Sequence, residues 1–185
     1  MKTEDPDFVI NMIFRFMVHR KGETADGQSI KGQPVELLPW QVFIVYNLLG
    51  FRWRGKKERR FKEAFIFVPR KNGKTTFIAC LAFALALLEK KSGSTLYIVA
   101  ASMDQAAQSF ETILHSLRFR GIDSEFRIRD NNAEHSIAAE FPDEDDSPGG
   151  SIHIQALASN PKSHDSFNCN IAIADELQAF KSPAE

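Results

Sequence analysis

The feature that most constrains the fold is an apolar stretch that runs into a glycine–lysine–threonine turn and then into a longer apolar stretch. Residues 64–68 have the composition of a buried strand and end at a proline. Gly73, Lys74 and Thr75 follow, and an Ala- and Leu-rich run predicts a helix over 73–90. A strand, a loop and a helix in this order place backbone N–H groups at a helix N-terminus, where they bind phosphate. The pattern therefore predicts an α/β protein with a P-loop.

Each residue type in this loop has a chemical role in phosphate binding. The lysine of a P-loop reaches the β/γ-phosphates and the following hydroxyl ligates Mg²⁺. The loop departs from G-x-x-x-x-G-K-[ST], because Val68 stands at the first glycine position. Arg70 is expected to fork onto phosphate oxygens. The alternative is a basic turn without a ligand, N-capped by Asn72. The candidate nucleotide-binding residues here are Arg70, Asn72, Gly73, Lys74, Thr75 and Thr76.

A second segment, about a hundred residues later, carries two adjacent carboxylates. Residues 171–174 are all apolar and predict a buried strand that ends in Asp175 and Glu176. At the tip of such a strand, the aspartate can hold Mg²⁺ and the glutamate can polarise a water. The alternative is a solvated helix N-terminus with acidic residues at its favourable end. Together and in this order, the two segments indicate hydrolysis of a nucleoside triphosphate.

An amphipathic helix upstream of both segments begins at Pro39 and is expected to end at Gly50. Gln41 lies beside Trp40 in its first turn. An amide side chain can pair with both the donor and the acceptor on one edge of adenine. Two interpretations of Gln41 remain open, an adenine-reading residue and a surface residue.

Four short pieces carry a resemblance to a known family. They are PWQ at 39–41, PRKNGKT at 69–75, IVAAS at 98–102 with Gln105 after it, and ADELQAF at 174–180. From about Val35 onward, the chain resembles the large terminase subunit of tailed bacteriophages, the ATPase motor that drives DNA into the procapsid. The most specific pieces are the glycine-poor RKNGK loop and the DEL-x-AF ending.

The resemblance implies a site and a setting. It implies Gln41 at the adenine, Arg70, Lys74 and Thr75 at the phosphates and Mg²⁺, Asp175 at Mg²⁺, and Glu176 as the catalytic carboxylate, with Arg70 as a further catalytic charge. The implied cofactor is Mg²⁺ bound with ATP. The implied partners are double-stranded DNA, the small terminase subunit, the portal protein and further copies of the chain. The implied location is the cytoplasm of the bacterial host.

The expected architecture is a P-loop NTPase three-layer α/β/α sandwich with a mostly parallel central sheet, incomplete on its C-terminal side. Residues 1–34 are expected to form an N-terminal helix and link, and 35–185 a partial P-loop ATPase domain, with the family's nuclease domain absent. Folds of this kind insert a further strand, encoded after Glu176, between the two motif strands. Without it, we expect unpaired strand edges or exposed apolar faces.

Periodicity also places the remaining elements. The predicted elements are helices at 8–19 and 103–118, strands at 96–100 and 126–129, and a hairpin with arms at 137–141 and 151–157. The spacing of Ser102 and Gln105 predicts a capping box at the start of the 103–118 helix.

The amino-acid composition restricts the classes of protein to which the chain can belong. With 185 residues, of which 43% are hydrophobic, the chain can bury one sizeable core. Cys80 and Cys169 lack C-x-x-C spacing and are expected to be reduced core residues. A net charge of −1 argues against general affinity for nucleic acid. The basic stretch 52–62 is either a solvated linker or strand edge, or it borders DNA, the nucleotide or a neighbouring subunit.

Two other classes of protein remain open. A DEAD-like helicase or another P-loop translocase would also use an upstream glutamine and an Asp-Glu pair, but it should continue as D-E-A-D or D-E-A-H, whereas this chain has D-E-L-Q. A non-catalytic remnant that binds nucleotide or a partner is the second. For these 185 residues alone, we expect nucleotide binding with hydrolysis near background, and self-association through the incomplete sheet.

Overall fold

The structure, a computed structural model, describes residues 1–24, 26–69, 71–90, 93–132, 134–143, 149–159 and 169–180, with Gln178 described by its backbone alone. Its helices are α1 (Glu4–Phe16), α2 (Pro39–Gly50), α3 (Lys74–Leu88) and α4 (Met103–Arg120). Its strands are β1 (Ser94–Ala100), β2 (Arg127–Asp130), β3 (His135–Phe141), β4 (Gly150–Ala158) and β5 (Ile171–Ala174). These bounds confirm the predicted elements to within a few residues, apart from the strand predicted at 64–68.

The five strands form one sheet in the order β2-β3-β4-β1-β5. β1 pairs in parallel with both β4 and β5, while β3 is antiparallel to its neighbours β2 and β4. All strands except β3 therefore run in the same direction. This arrangement confirms the expected α/β fold with a mostly parallel sheet.

The centre of the molecule is α3, which is buried on every side. Nearly every side chain from Phe77 to Ala86 lies in the hydrophobic core. A helix that is apolar all round is stable only where packing surrounds it. Here α1, α4 and the sheet supply that packing, and α1 contributes Val9 and Ile13 to the same core.

The described helices lie on one face of the sheet. α3 and α4 pack on each other, and both contact β1 and β4. The strands turn their aliphatic residues toward this layer, as the register of Leu96 and Ile98 in β1 with Ile171 and Ile173 in β5 shows. No described helix covers the opposite face, so the second helical layer of the expected three-layer sandwich is not among the described residues.

The predicted buried strand at 64–68 is wrong. The segment has no strand pairing, and the Phe65 and Phe67 side chains are 77% and 86% exposed. Burying a strand requires a neighbouring strand edge, and β5, the end strand of the described sheet, does not pair with this segment. The exposed apolar side chains expected from an unfilled gap between the two motif segments are therefore present.

The two cysteines differ from each other. Cys80 is buried in α3, where desolvation raises the pKa of its thiol far above the ordinary range. Cys169 is exposed, so its prediction as a core residue is wrong. It lies just before β5, outside the apolar run that made its surroundings look buried. Within the described ranges, no helix is long and apolar enough to cross a membrane.

Candidate active site

The turn before α3 is built on left-handed backbone. Gly73, the N-cap residue of α3, has φ +71°, and Lys71 has φ +65°. A Cβ atom added at Gly73 would meet nothing within 4 Å, so the need for glycine is torsional rather than steric. The Asn72 amide Nδ2 donates to the Pro69 carbonyl at 3.2 Å. The interpretation of Asn72 as the N-cap is therefore wrong, because its side chain closes the turn and Gly73 caps the helix.

The first turn of α3 has backbone N–H groups that lack an acceptor within the helix. The N-cap residue makes no side-chain capping bond, and the first bond into the helix runs from Phe77 N–H to the Gly73 carbonyl at 2.9 Å. The preceding N–H groups of a helix have no intrahelical acceptor and together carry partial positive charge. Lys74, Thr75 and Thr76 are half-buried in this turn.

Asp175 follows β5 directly and is buried, with 8% of its surface exposed. Its backbone N–H donates to the Val99 carbonyl of β1 at 2.8 Å, which fixes the end of the strand. Burial raises the pKa of the Asp175 carboxyl above its ordinary value. The Glu176 backbone N–H opposes this shift, the Glu176 charge adds to it, and the Lys74 ammonium again lowers the pKa. The two motif segments, far apart in sequence, therefore meet within electrostatic range.

Glu176 has an unusual backbone. Its φ is +52° and its ψ +52°, a left-handed conformation rare for residues other than glycine, asparagine and aspartate. It caps a short 3₁₀ helix, Leu177–Ala179. Its Oε2 accepts a hydrogen bond from Gln105 Nε2 of α4 at 3.4 Å. The two adjacent carboxylates thus have different partners.

Gln41 is buried at the start of α2, with 6% of its surface exposed, so its interpretation as a surface residue is wrong. Its Oε1 accepts from the Leu38 N–H at 2.8 Å and caps the helix. The adjacent Trp40 ring meets Phe77 of α3 edge to face, with centroids 5.6 Å apart. The beginning of α2 therefore lies against the first turn of α3.

Two residues of the candidate site remain: Arg70, which the sequence predicts, and Gln105, whose role at the site the sequence does not predict. Arg70 lies outside the described residues. Gln105 appeared in the sequence only as a capping residue and as part of a family motif. Its contact with Glu176 spans 71 positions along the chain, and no local spacing rule reports such a contact.

The residues present fit a divalent cation held together with phosphate. Within the described ranges, no three His, Cys, Asp or Glu side chains form a metal-binding group. Mg²⁺ commonly uses one or two protein oxygens, with substrate phosphates and water completing its shell. Asp175 is a buried carboxylate whose charged form is disfavoured by burial, and a cation beside it would offset that penalty. Thr75, in the facing helix turn, supplies a hydroxyl.

Two open clefts, of about 360 and 660 Å³, lie in the described part of the chain. The smaller lies between α1, α2 and the link between them, and the larger on the β2-β3-β4 part of the sheet. Neither is lined by a candidate site residue.

Comparison with solved structures finds large terminases. The fold is similar to that of the bacteriophage HK97 large terminase, with a TM-score of 0.63 and 19% identity over 91% of this chain and 30% of that chain. It is also similar to the large terminase ATPase domain of Thermus phage P74-26, with a TM-score of 0.46 and 14% identity over 60% of this chain and 47% of that chain. The chain thus spans less than a third of the HK97 protein. No curated protein sequence matches it significantly.

A family model supplies the assignment. The model described as "Terminase large subunit, ATPase domain" matches residues 39–184, which include both motif segments and the helix that carries Gln41. The match covers most of the chain. The chain belongs to the terminase large subunit ATPase domain family.

Proposed function

We propose that this chain binds and hydrolyses ATP as part of a motor that packages DNA into phage procapsids. One observation carries the proposal: α3, which begins at Lys74, contacts β5, the strand that Asp175 and Glu176 follow, and the Lys74 ammonium lowers the pKa of Asp175. A cation and a buried carboxylate at the end of parallel strands form the kind of site that holds a nucleotide phosphate with its metal.

The phosphate side of the site would be formed by α3. Its first-turn N–H groups and the Lys74 ammonium would bind the β- and γ-phosphates, and Asn72, Gly73 and Thr76 would shape the loop around them. Thr75 and Asp175 would hold Mg²⁺. When bound, this ion supplies positive charge that offsets the charge developing on the phosphate oxygens.

The hydrolytic role falls to the neighbouring carboxylate. Glu176 would orient the attacking water and accept its proton, as a general base within hydrogen-bond reach of a nucleophile does. Arg70, which precedes α3 in the sequence, would provide a further positive charge at the γ-phosphate. The division of roles follows burial, because the more buried Asp175 suits a metal ligand and the half-buried Glu176 suits contact with water.

The adenine ring of ATP would lie on the α2 side of the site. Gln41 is the polar side chain at the start of α2, and the contact between Trp40 and Phe77 holds that start against α3. Its Oε1 already accepts from Leu38, but an amide oxygen has two lone pairs and the amide nitrogen donates two hydrogen bonds. Gln41 is therefore proposed to read the edge of adenine.

The proposed partners are double-stranded DNA, the small terminase subunit, the portal protein and further copies of the chain, in the host cytoplasm. The family match and the fold similarity to a phage large terminase support this setting. The basic stretch 52–62 offers one surface for an anionic partner. Arg52 and Arg59 pair with Asp5 and Glu89, whereas Arg54, Lys56 and Lys57 at the tip are exposed and make no ion pair with a described residue.

A second candidate function is nucleotide or partner binding without turnover. The observation that favours it is the exposure of Phe65 and Phe67, together with a sheet that ends at β5. Loosely supported catalytic groups lose rate steeply, because small misplacements are costly. Mg²⁺-dependent release of phosphate well above background from the 185-residue chain would exclude this alternative.

The binding half of the proposal is tested by titrating Mg·ATP into the wild-type chain, Lys74→Ala and Lys74→Arg, with calorimetry as the readout. We expect both variants to lose measurable binding while keeping the wild-type circular dichroism spectrum. The planar guanidinium does not replace a compact ammonium in a tight loop. Lys56→Ala, at an exposed lysine in the basic stretch, is the matched control and should bind like wild type. Equal affinity of wild type and Lys74→Ala would exclude the P-loop role.

A further inference from the structure

The capping pattern at the start of α4 is only half formed. Ser102 is the N-cap residue, and its hydroxyl accepts from the Gln105 backbone N–H at 3.4 Å. In a complete capping box, the glutamine side chain would return to the backbone N–H of the N-cap residue. Here its Nε2 instead donates to Glu176 Oε2, also at 3.4 Å. The side chain is directed away from its own helix toward the proposed catalytic carboxylate.

The other end of the same amide has no partner. Gln105 Oε1 is buried and accepts no hydrogen bond from any described residue. A buried unpaired carbonyl oxygen is unfavourable, so local hydrogen bonding does not explain this orientation. Exchanging the amide oxygen and nitrogen would place the oxygen against the carboxylate of Glu176, where two acceptors repel. The contact with Glu176 therefore determines how the amide is oriented.

Both residues stand on closely coupled backbone. β1 pairs with β5 from Leu96↔Ile171 to Val99↔Ala174, and the Asp175 N–H extends this ladder to Val99. Gln105 lies in the first turn of α4, the helix that follows β1, and Glu176 follows β5 after one residue. The left-handed conformation of Glu176 persists only where its surroundings over-determine it. The geometry between the amide and the carboxylate is thus set by the adjacent ends of two paired strands.

We propose that Gln105 is a positioning residue that holds the Glu176 carboxylate in its working orientation during ATP hydrolysis. The proposal rests on the proposed function above. A neutral amide suits this task, because it restrains the carboxylate without supplying a full positive charge that would compete with the attacking water's proton. The 3.4 Å separation is long for such a bond, and catalytic hydrogen bonds often shorten only when the substrate is bound.

Two near-isosteric variants separate this role from a packing role. Gln105→Met keeps the length of the side chain, removes the donor and also removes the orphaned oxygen. We expect its kcat to fall about ten- to a hundredfold, with KM and affinity for a non-hydrolysable ATP analogue unchanged and an unfolding midpoint no lower than wild type. Gln105→Glu places a second carboxylate beside Glu176 and should lower kcat at least as far. Gln108→Met, at an exposed glutamine of the same helix, is the matched control and should behave like wild type.

The experiment uses the full natural chain, with steady-state ATPase kinetics and with affinity for Mg·ADP·aluminium fluoride as a readout that needs no turnover. The Gln105→Met variant should bind this transition-state mimic at least tenfold more weakly, while its affinity for the ATP analogue is preserved. Equal weakening of both affinities together with a lower unfolding midpoint would show a purely structural role and overturn the proposal.

Different results would overturn the proposed ATPase function and the positioning role of Gln105. If Glu176→Gln hydrolyses ATP at the wild-type rate, or if wild type binds neither ATP nor the mimic, the proposed function fails and this proposal fails with it. If Glu176→Gln is inactive but Gln105→Met keeps the wild-type kcat and mimic affinity, the positioning role alone is overturned.

Discussion

Two serines on α4 offer a matched test of how buried polar groups contribute to the stability of this protein. Ser109 and Ser116 are both fully buried. The Ser116 hydroxyl accepts from the Val18 N–H at 3.1 Å and donates to the Thr112 carbonyl at 2.9 Å. The Ser109 hydroxyl has no partner among the described residues. Replacing each serine with alanine removes the same atom from the same helix in two different bonding states.

The expected effects have opposite signs. Ser116→Ala leaves the buried Val18 N–H without an acceptor, which we expect to lower the free energy of unfolding by about 1–3 kcal/mol. Ser109→Ala removes an unpaired buried hydroxyl and should leave the free energy of unfolding unchanged or raise it by up to about 1 kcal/mol. For a chain of this size, each kcal/mol corresponds to a shift of roughly 2–4 °C in Tm.

Urea unfolding followed by tryptophan fluorescence measures the difference, since the chain has two tryptophans. Equal m-values among wild type and both variants are needed, so that the midpoints report stability alone. We expect the midpoint of Ser116→Ala to be clearly lower and that of Ser109→Ala to be equal or higher. A Ser109→Ala midpoint as low as that of Ser116→Ala would refute the reasoning, because the loss of an unpaired hydroxyl would then be as harmful as the loss of a paired one.

Three further predictions concern the site and its surroundings. Glu176→Gln should keep Mg·ATP binding and lose turnover, whereas Asp175→Asn should reduce the Mg²⁺ dependence of binding. Calorimetry with and without Mg²⁺ and a phosphate-release assay separate the two effects. Wild-type turnover by Glu176→Gln would place the catalytic carboxylate elsewhere. Burial raises the pKa of Asp175, so the folded state disfavours the charged form of this carboxyl. Asp175→Asn should therefore be more stable than wild type at neutral pH, and this gain in stability should shrink as the pH falls toward the ordinary carboxyl pKa of about 3.9. Urea midpoints between about pH 4 and pH 8 check the sign, and a gain that grows on acidification would contradict it. Replacing Phe65 and Phe67 with serine should change the free energy of unfolding by less than about 0.5 kcal/mol, because both side chains are mostly exposed. The same change should reduce self-association of the 185-residue chain in sedimentation experiments. A large loss of stability would show that the segment is packed in solution.

The parts of the fold that could be predicted from sequence are those whose packing partners lie within the described chain. The apolar run of α3 is buried as predicted, because its partner α4 lies within the described chain. The strand predicted at 171–174 pairs with β1, but as the end strand of the described sheet it is only partly buried, so the prediction of its burial is wrong. The segment 64–68 has an equally apolar pattern and is exposed, since hydrophobicity records a need for burial and not the presence of a partner. An apolar segment can be recognised locally, but whether a neighbouring strand is present to pair with it cannot.

The candidate site also has residues that can be predicted from the sequence and contacts that cannot. Lys74, Asp175 and Glu176 can be predicted as site residues from residue types and order, because phosphate and metal chemistry restricts both. The contact of Gln105 with Glu176 could not be found this way. Its spacing from Ser102 fits a capping box, and only the paired ends of β1 and β5 reveal that the side chain has another partner.

The burial of α3 links the ligand-binding turn to the whole domain. The turn that would bind phosphate is the first turn of the helix around which α1, α4 and the sheet are packed. A ligand bound there would stabilise the entire cooperative unit by RT ln(1 + [L]/Kd), and not only a surface loop. Amide hydrogens deep in α3, far from any nucleotide, should then exchange more slowly when ATP is present. The interior of the protein would in this way report the occupancy of its surface site.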